Sequence, residues 1–157
     1  MHLRLAGPED VPVLAALNEQ LIVDQGHENP MRGRELADRM QGWLAGEYTA
    51  ALGILDGAPA CYALWRPAEG GGIHLRQFFV AREFRRRGVG RRAIAALRDA
   101  YWPGRVIMLD VLVGNHRGAA FWHSLGFEAH TVAMRSPAPR PERAGAGDPS
   151  LSGTAER

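Results

Sequence analysis

Between Arg85 and Arg92 the chain reads Arg-Arg-Arg-Gly-Val-Gly-Arg-Arg, shortly after the run Leu75-Arg76-Gln77-Phe78-Phe79-Val80 and ahead of Ala93-Ile94-Ala95-Ala96-Leu97. This order predicts a strand, a glycine turn and a helix. Glycines at the start of a helix leave its first N–H groups uncovered, the helix dipole adds positive potential there, and arginines bring mobile charge to the same place. The chemistry suited to such a loop is the holding of phosphate.

The spacing excludes two common phosphate loops. The ATPase type needs a lysine after its second glycine, and the chain contains no lysine. A dinucleotide fingerprint needs a third glycine where Ala93 stands, and a strand running straight into the first. A second block lies downstream: Leu109-Asp110-Val111, then Asn115, then Ala120-Phe121-Trp122-His123-Ser124-Leu125-Gly126-Phe127.

In this order and spacing the two blocks resemble motif A and the later asparagine-to-LGF element of the GNAT-type N-acetyltransferases, over about residues 3–135. The resemblance implies an α/β (α+β) single domain with a mixed, mostly antiparallel central sheet, splayed at its middle strands and flanked by about four helices. It implies acetyl-CoA as co-substrate and transfer of the acetyl group to a primary amine of a small molecule or peptide, by direct attack in a ternary complex. Backbone groups of Phe78, Phe79 and Val80 would pair with the pantetheine arm and polarise the thioester carbonyl. The pyrophosphate would sit on the amides of residues 86–91, including Val89 and Arg91. Guanidinium groups of Arg85, Arg86 or Arg87 would be at hand, and Gly88 and Gly90 would admit the backbone closely. Asn115 fits a helix cap, a cofactor contact, or both.

An ammonium cannot attack a thioester, so the reaction needs a base. Asp110 interrupts an otherwise apolar strand, where loss of water would strengthen it as a base, and the resemblance aligns it with an acid used so in some members. A buried carboxylate bonded to backbone is the alternative. Many members carry a tyrosine that protonates the departing thiolate, and here the position holds Trp122, a donor of negligible acidity. His123 and Ser124 lie roughly 100° and 200° further round the helix. That departure keeps a second reading open, a catalytically decayed acyl-CoA-binding regulatory module. Arg76 and Gln77 stand where relatives often place acids, which points either to an acceptor bearing a carboxylate or to an outward salt bridge. His27 and Glu28 fall in a loop that often shapes the acceptor site in relatives.

The elements that must position these residues follow from periodicity. Leu3 to Leu5 suits a short strand, and Gly7-Pro8-Glu9-Asp10 a helix start ahead of Val11, Leu14, Leu17, Leu21 and Ile22. Leu36, Met40, Trp43 and Leu44 mark a second amphipathic helix ended by Gly46. Two strand-like runs, residues 48–55 and 59–65, flank Asp56-Gly57, a favoured hairpin dipeptide. Residues 106–113 are apolar on both faces and predict a strand buried within the sheet. A helix over about residues 115–125 and a strand over about 127–135 complete the expected core.

The 157 residues, 46% of them hydrophobic, suit one domain over residues 1–135 and leave no room for a second catalytic one. From residue 136 to 157 proline, glycine and small polar residues predict a disordered tail. The family's final strand is thus absent, fused with its predecessor or supplied by a partner, and the open sheet edge suggests a possible homodimer. A net charge of only +2 says little about partners, and no aromatic stacking platform accompanies the arginines, so nucleic acid is not expected. The six histidines lack metal-ligand spacing, so no metal is expected. Cys61 alone cannot form an internal disulfide, no apolar run is long enough for a membrane span, and the first residues lack a signal-peptide pattern. The expected location is cytoplasmic.

Overall fold

A computed structural model describes residues 1–26, 29–134 and 136. His27, Glu28 and all of the expected tail except Ser136 lie outside the described residues. The chain divides into two compact units, Met1–Phe127 and Glu128–Arg157.

The first unit is built on a five-stranded sheet whose spatial order follows the sequence. Its strands are β1 (His2–Leu5), β2 (Thr49–Leu55), β3 (Ala58–Pro67), β4 (Ile73–Val80) and β5 (Ile107–Leu109). Helices α1 (Val11–Asp24) and α2 (Gly33–Ala45) fall between β1 and β2, α3 (Val89–Ala100) between β4 and β5, and α4 (His116–His123) after β5. The first three pairings are antiparallel and β4–β5 is parallel, giving the mixed, mostly antiparallel sheet with four helices that the sequence implied.

Local chemistry accounts for the early elements. Asp56 and Gly57 take positive φ values of 53° and 79°, the turn whose twist matches a two-residue hairpin, so β2 and β3 pair directly. At the start of α1, Asp10 accepts the Gly7 N–H at 2.9 Å and both guanidinium nitrogens of Arg4 at 2.7 Å, tying β1 to the helix. One sheet face carries Ala50, Leu52, Tyr62, Leu64 and Phe79 against Leu14, Leu17 and Met40 of α1 and α2. The other carries Ala51, Ala63, Trp65, Ile73 and Leu75 against Ile94 and Leu97 of α3 and the fully buried Trp102.

A one-residue irregularity in β4 decides which side chains reach which face. Leu64 pairs with Gln77 but its neighbour Trp65 pairs with Leu75, so Arg76 is an extra residue, a β-bulge. The bulge returns Phe78 to the α3 face that Leu75 occupies, and puts Phe79 on the α1–α2 face. Without it the alternation of a strand would exchange the two.

Two expectations need correction. Residues 106–113 are not a strand buried on both faces: β5 spans three residues, pairs only with β4, and leaves Val106 72% and Val113 89% exposed. A strand apolar on both faces needs cover on both, and the outer edge of β5 has no partner among the described residues. The strand expected over residues 127–135 is also absent from the described part of that stretch, where residues 128–134 hold no helix or strand. Val132 and Met134 are its only large apolar side chains, too little apolar area to hold a ladder.

The segment behind β4 is fixed to α1 by charge. Asp24, at the end of α1, accepts Arg82 Nε at 2.8 Å and is also bonded by the Nη2 groups of Arg82 and Arg85. Burial works against the Asp24 carboxylate, but the two guanidinium groups outweigh it and hold the group below the usual carboxylate range. The stabilisation is therefore complete above about pH 4, where an unfolded aspartate ionises, and is lost as the pH falls toward the lower folded value. Asp24→Asn is expected to lower Tm near neutrality and to flatten its decline on acidification. Parent and variant curves that run parallel throughout would contradict the clamp.

Candidate active site

Beyond β4 the chain makes a short 3-10 turn, Arg82–Phe84, that buries Phe84, then enters the arginine and glycine loop. Gly88 caps α3 with φ 70°, a left-handed conformation that glycine adopts at little cost. Arg86 has φ 62°, which costs a non-glycine residue about 1 kcal/mol and persists only where the surroundings hold it. Arg85 N–H donates to Arg82 O at 3.3 Å, and the next amide to do so is that of Arg92, to Gly88 O at 3.1 Å. Apart from the turn over residues 85–88, the amides of residues 86–91 reach no carbonyl at good geometry among the described residues, so those of Gly88 to Arg91 stand uncovered at a helix N-terminus.

The guanidinium groups of this loop divide into two sets. Arg85 is committed: its Nε donates to Val80 O at 2.9 Å and its Nη2 to Asp24, so it ties β4 to α1. Arg91 donates to Ser124 O and Oγ at 3.2 and 3.1 Å, joining α3 to the end of α4. Arg87 lies over the Phe84 ring and only 3.5 Å from the exposed Asp56, while Arg86 has no side-chain partner among the described residues. Arg86 and Arg87 are thus the movable charges beside the free amides.

Strands β4 and β5 pair at Ile73–Ile107, His74–Met108 and Leu75–Leu109, then part. Beyond that rung β4 remains paired with β3 as far as Val80, so its other backbone edge, at Phe78 and Val80, has no strand partner among the described residues, whereas the Phe79 backbone faces Tyr62 of β3. The unpartnered edge of β4 runs from Arg76, beside Asp110 in sequence register, to Val80, five residues before the arginine and glycine loop at Arg85. The wall beside it is aromatic. Phe78 stacks on Phe121 at 5.9 Å and meets the edge of Trp122 at 5.6 Å; Trp122 also packs against Phe121 and Phe127. Val89 is buried below the loop. Asn115 caps α4, its Oδ1 accepting Gly118 N–H at 2.9 Å, which leaves its Nδ2 uncommitted.

Asp110 stands at the parting of the strands but is not buried: its side chain is 94% exposed, and its Oδ2 lies 3.4 Å from His74 Nε2. The desolvation on which its role as a base rested is absent, because β5 ends one residue earlier. Sequence reasoning passed over His74, which meets Asp110 only through the parallel register. Its Nδ1 is buried and unpartnered among the described residues.

On the α1–α2 side of β4 a polar chain runs inward. Arg39 Nη2 donates to Asn18 Oδ1 at 2.7 Å, Asn18 Nδ2 to Tyr62 OH at 3.1 Å, and Tyr62 OH to Gln77 Oε1 at 3.0 Å. Burial pushes the Tyr62 phenol up, so it is no ready acid. Cys61 is buried and its thiol is pushed up to about 11 by that burial, so the one cysteine is no ready nucleophile.

A model of the Acetyltransferase (GNAT) family matches residues 16–127, and the chain belongs to that family. Solved structures agree in fold. A mutant BH1408 protein from Bacillus halodurans is 23% identical with a TM-score of 0.71, covering 88% of this chain and 100% of its own. The aminoglycoside N-acetyltransferase AAC(6')-Iy, solved with CoA, is 19% identical with a TM-score of 0.68, covering 88% of this chain and 95% of its own. The aminoglycoside acetyltransferase meta-AAC0020 from an uncultured soil metagenomic sample, solved with sisomicin, is 14% identical with a TM-score of 0.69, covering 88% and 96%. No curated protein matches the chain.

Gly90 serves packing directly. A Cβ there would stand 3.1 Å from Cε2 and Cζ of Phe121 and 3.5 Å from Val80 Cγ2, so its absence lets α3 and α4 meet. Gly90→Ala is expected to destabilise the fold by about 1–3 kcal/mol through this crowding. Chemical denaturation checks it, and an unchanged midpoint would mean that the Phe121 ring is free to retreat.

Proposed function

We propose that the protein transfers an acetyl group from acetyl-CoA to a primary amine of a small molecule or peptide, by direct attack in a ternary complex. The observation that carries this reading is the unpartnered edge of β4 beyond its last rung with β5, followed along the chain by uncovered amides at the start of α3. A pantetheine arm needs backbone partners along an open strand edge, and a pyrophosphate needs converging donors. The residues present fit both requirements.

In this reading the amides of residues 86–91 hold the pyrophosphate, with Arg86 and Arg87 adding charge and Gly88 making the turn. Arg85 acts one step back, by fixing the loop to Asp24 and Val80. Backbone groups of Phe78 and the N–H of Val80 align the arm, the Val80 carbonyl being taken by Arg85; Phe79, expected beside them, instead turns its backbone to Tyr62 of β3. Asn115 can offer its Nδ2 from the cap of α4. The acyl donor supplies an activated thioester.

Asp110 is the base of this proposal, removing the ammonium proton directly or through water before attack, with His74 steadying its carboxylate. An exposed carboxylate reaches solvent and acceptor alike, which suits relay through water. Direct transfer needs no acyl-enzyme, consistent with a buried Cys61. Trp122 is locked in aromatic contacts and is no acid, so the departing thiolate takes its proton from solvent.

Thiol release from acetyl-CoA over a panel of amines tests the activity. Tight binding of acetyl-CoA without turnover on any amine would favour the decayed module. Asp110→Asn is expected to leave CoA affinity unchanged and to lower kcat by about a hundredfold. A variant with parental kcat and pH profile would show Asp110 to be a surface group.

A further inference from the structure

The acceptor side of the proposed site is cationic. Arg76, the bulge residue of β4, projects over the rings of Trp43 and Tyr48, its Cζ lying 4.8 and 5.7 Å from their centroids. Arg39 of α2 lies over the same Trp43 ring at 4.7 Å. Two guanidinium groups therefore share one indole. Neither has an acidic partner within salt-bridge distance among the described residues, although nearly every acid around them has one. Asp38 faces Arg34, Glu47 faces Arg66, Glu19 faces Arg32 and Asp110 faces His74.

The arrangement is held rather than loose. Arg39 is anchored through Asn18 and Tyr62 to Gln77, the residue after Arg76, and its Nε is buried without a partner. Burial, and then the charge of Arg76, pull Arg39 below the usual guanidinium range, a sign that this pair of like charges lacks compensation. Arg76 also begins the open edge, being the first β4 residue beyond the last rung shared with β5.

We propose that Arg39 and Arg76, set against Trp43, bind a carboxylate on the acceptor, so that the amine acetylated belongs to an amino acid or another amine bearing a carboxylate. The inference rests on the transferase reading above and names its substrate class. A planar guanidinium matches a carboxylate through paired N–H bonds, and stacking on an indole fixes its plane in advance. The same charges disfavour a polycationic acceptor of the aminoglycoside kind.

The experiment compares matched acceptors with acetyl-CoA: free amino acids, their carboxamides, and an aminoglycoside. The free acids are expected to exceed their amides in kcat/KM by about ten- to a hundredfold, as loss of a charge-assisted hydrogen bond implies. In Arg76→Gln the advantage should shrink to near unity, chiefly through KM, with CoA affinity unchanged and Tm lowered only slightly by loss of the ring contacts of an exposed side chain. Arg39→Gln, checked for folding by Tm, should act in the same direction. Amides or aminoglycosides acetylated as well as the acids, or a preference that survives Arg76→Gln, would overturn this inference and leave the transferase reading standing. Absence of transfer to every amine, with CoA bound, would instead overturn the transferase reading.

Discussion

The single extra residue at Arg76 is the constraint on which the site depends. A strand presents alternate residues to opposite faces, so one inserted residue resets the alternation for everything after it. Leu75 and Phe78 then share the α3 face, where Phe78 can stack on Phe121 of α4. Phe79 turns to the opposite core, and Gln77 reaches Tyr62. The bulge also lies where β4 and β5 part, so the strand that keeps its pairing with β3 loses its partner on the other edge. One local irregularity thus sets which aromatic side chains stand beside the unpartnered edge of β4.

The loop behind β4 shows how anchoring and availability are divided among similar residues. Six arginines lie between residues 82 and 92, counted as Arg82, Arg85, Arg86, Arg87, Arg91 and Arg92, yet they do different things. Arg82 and Arg85 are held by Asp24, and Arg91 by the end of α4, so the backbone of the loop is fixed before any ligand arrives. Preorganised donors pay no ordering cost when an anion binds, which is the physical advantage of spending three arginines on structure. Arg86, strained and unpaired, and Arg87, weakly held, remain to move.

Features encoded by neighbouring residues were legible in the sequence. The Asp56-Gly57 hairpin and the glycine turn leading into α3 depend on local chemistry, and both formed as read. Features set by register were not. The apolar composition of residues 106–113 suggested burial on both faces, but burial depends on neighbours the segment does not itself specify, and β5 proved a three-residue edge. Asp110 consequently emerged exposed. His74 joined it, and Arg39 and Trp43 joined Arg76, through contacts between distant parts of the chain that no spacing rule anticipates. The roles of Arg85 as clamp and Gly90 as packing space were likewise hidden, because a phosphate loop and a structural loop use the same residue types.

In the proposed function, the open edge of β4 and the free amides ahead of α3 act as one binding surface for an acyl-CoA. Titration of isotopically labelled protein with CoA, followed by amide chemical shifts, tests it most directly. The largest shifts are expected at the amides of residues 86–91 and of Phe78 and Val80, saturating together along one binding curve. Shifts confined to other parts of the sheet, or two sets saturating at different concentrations, would contradict it.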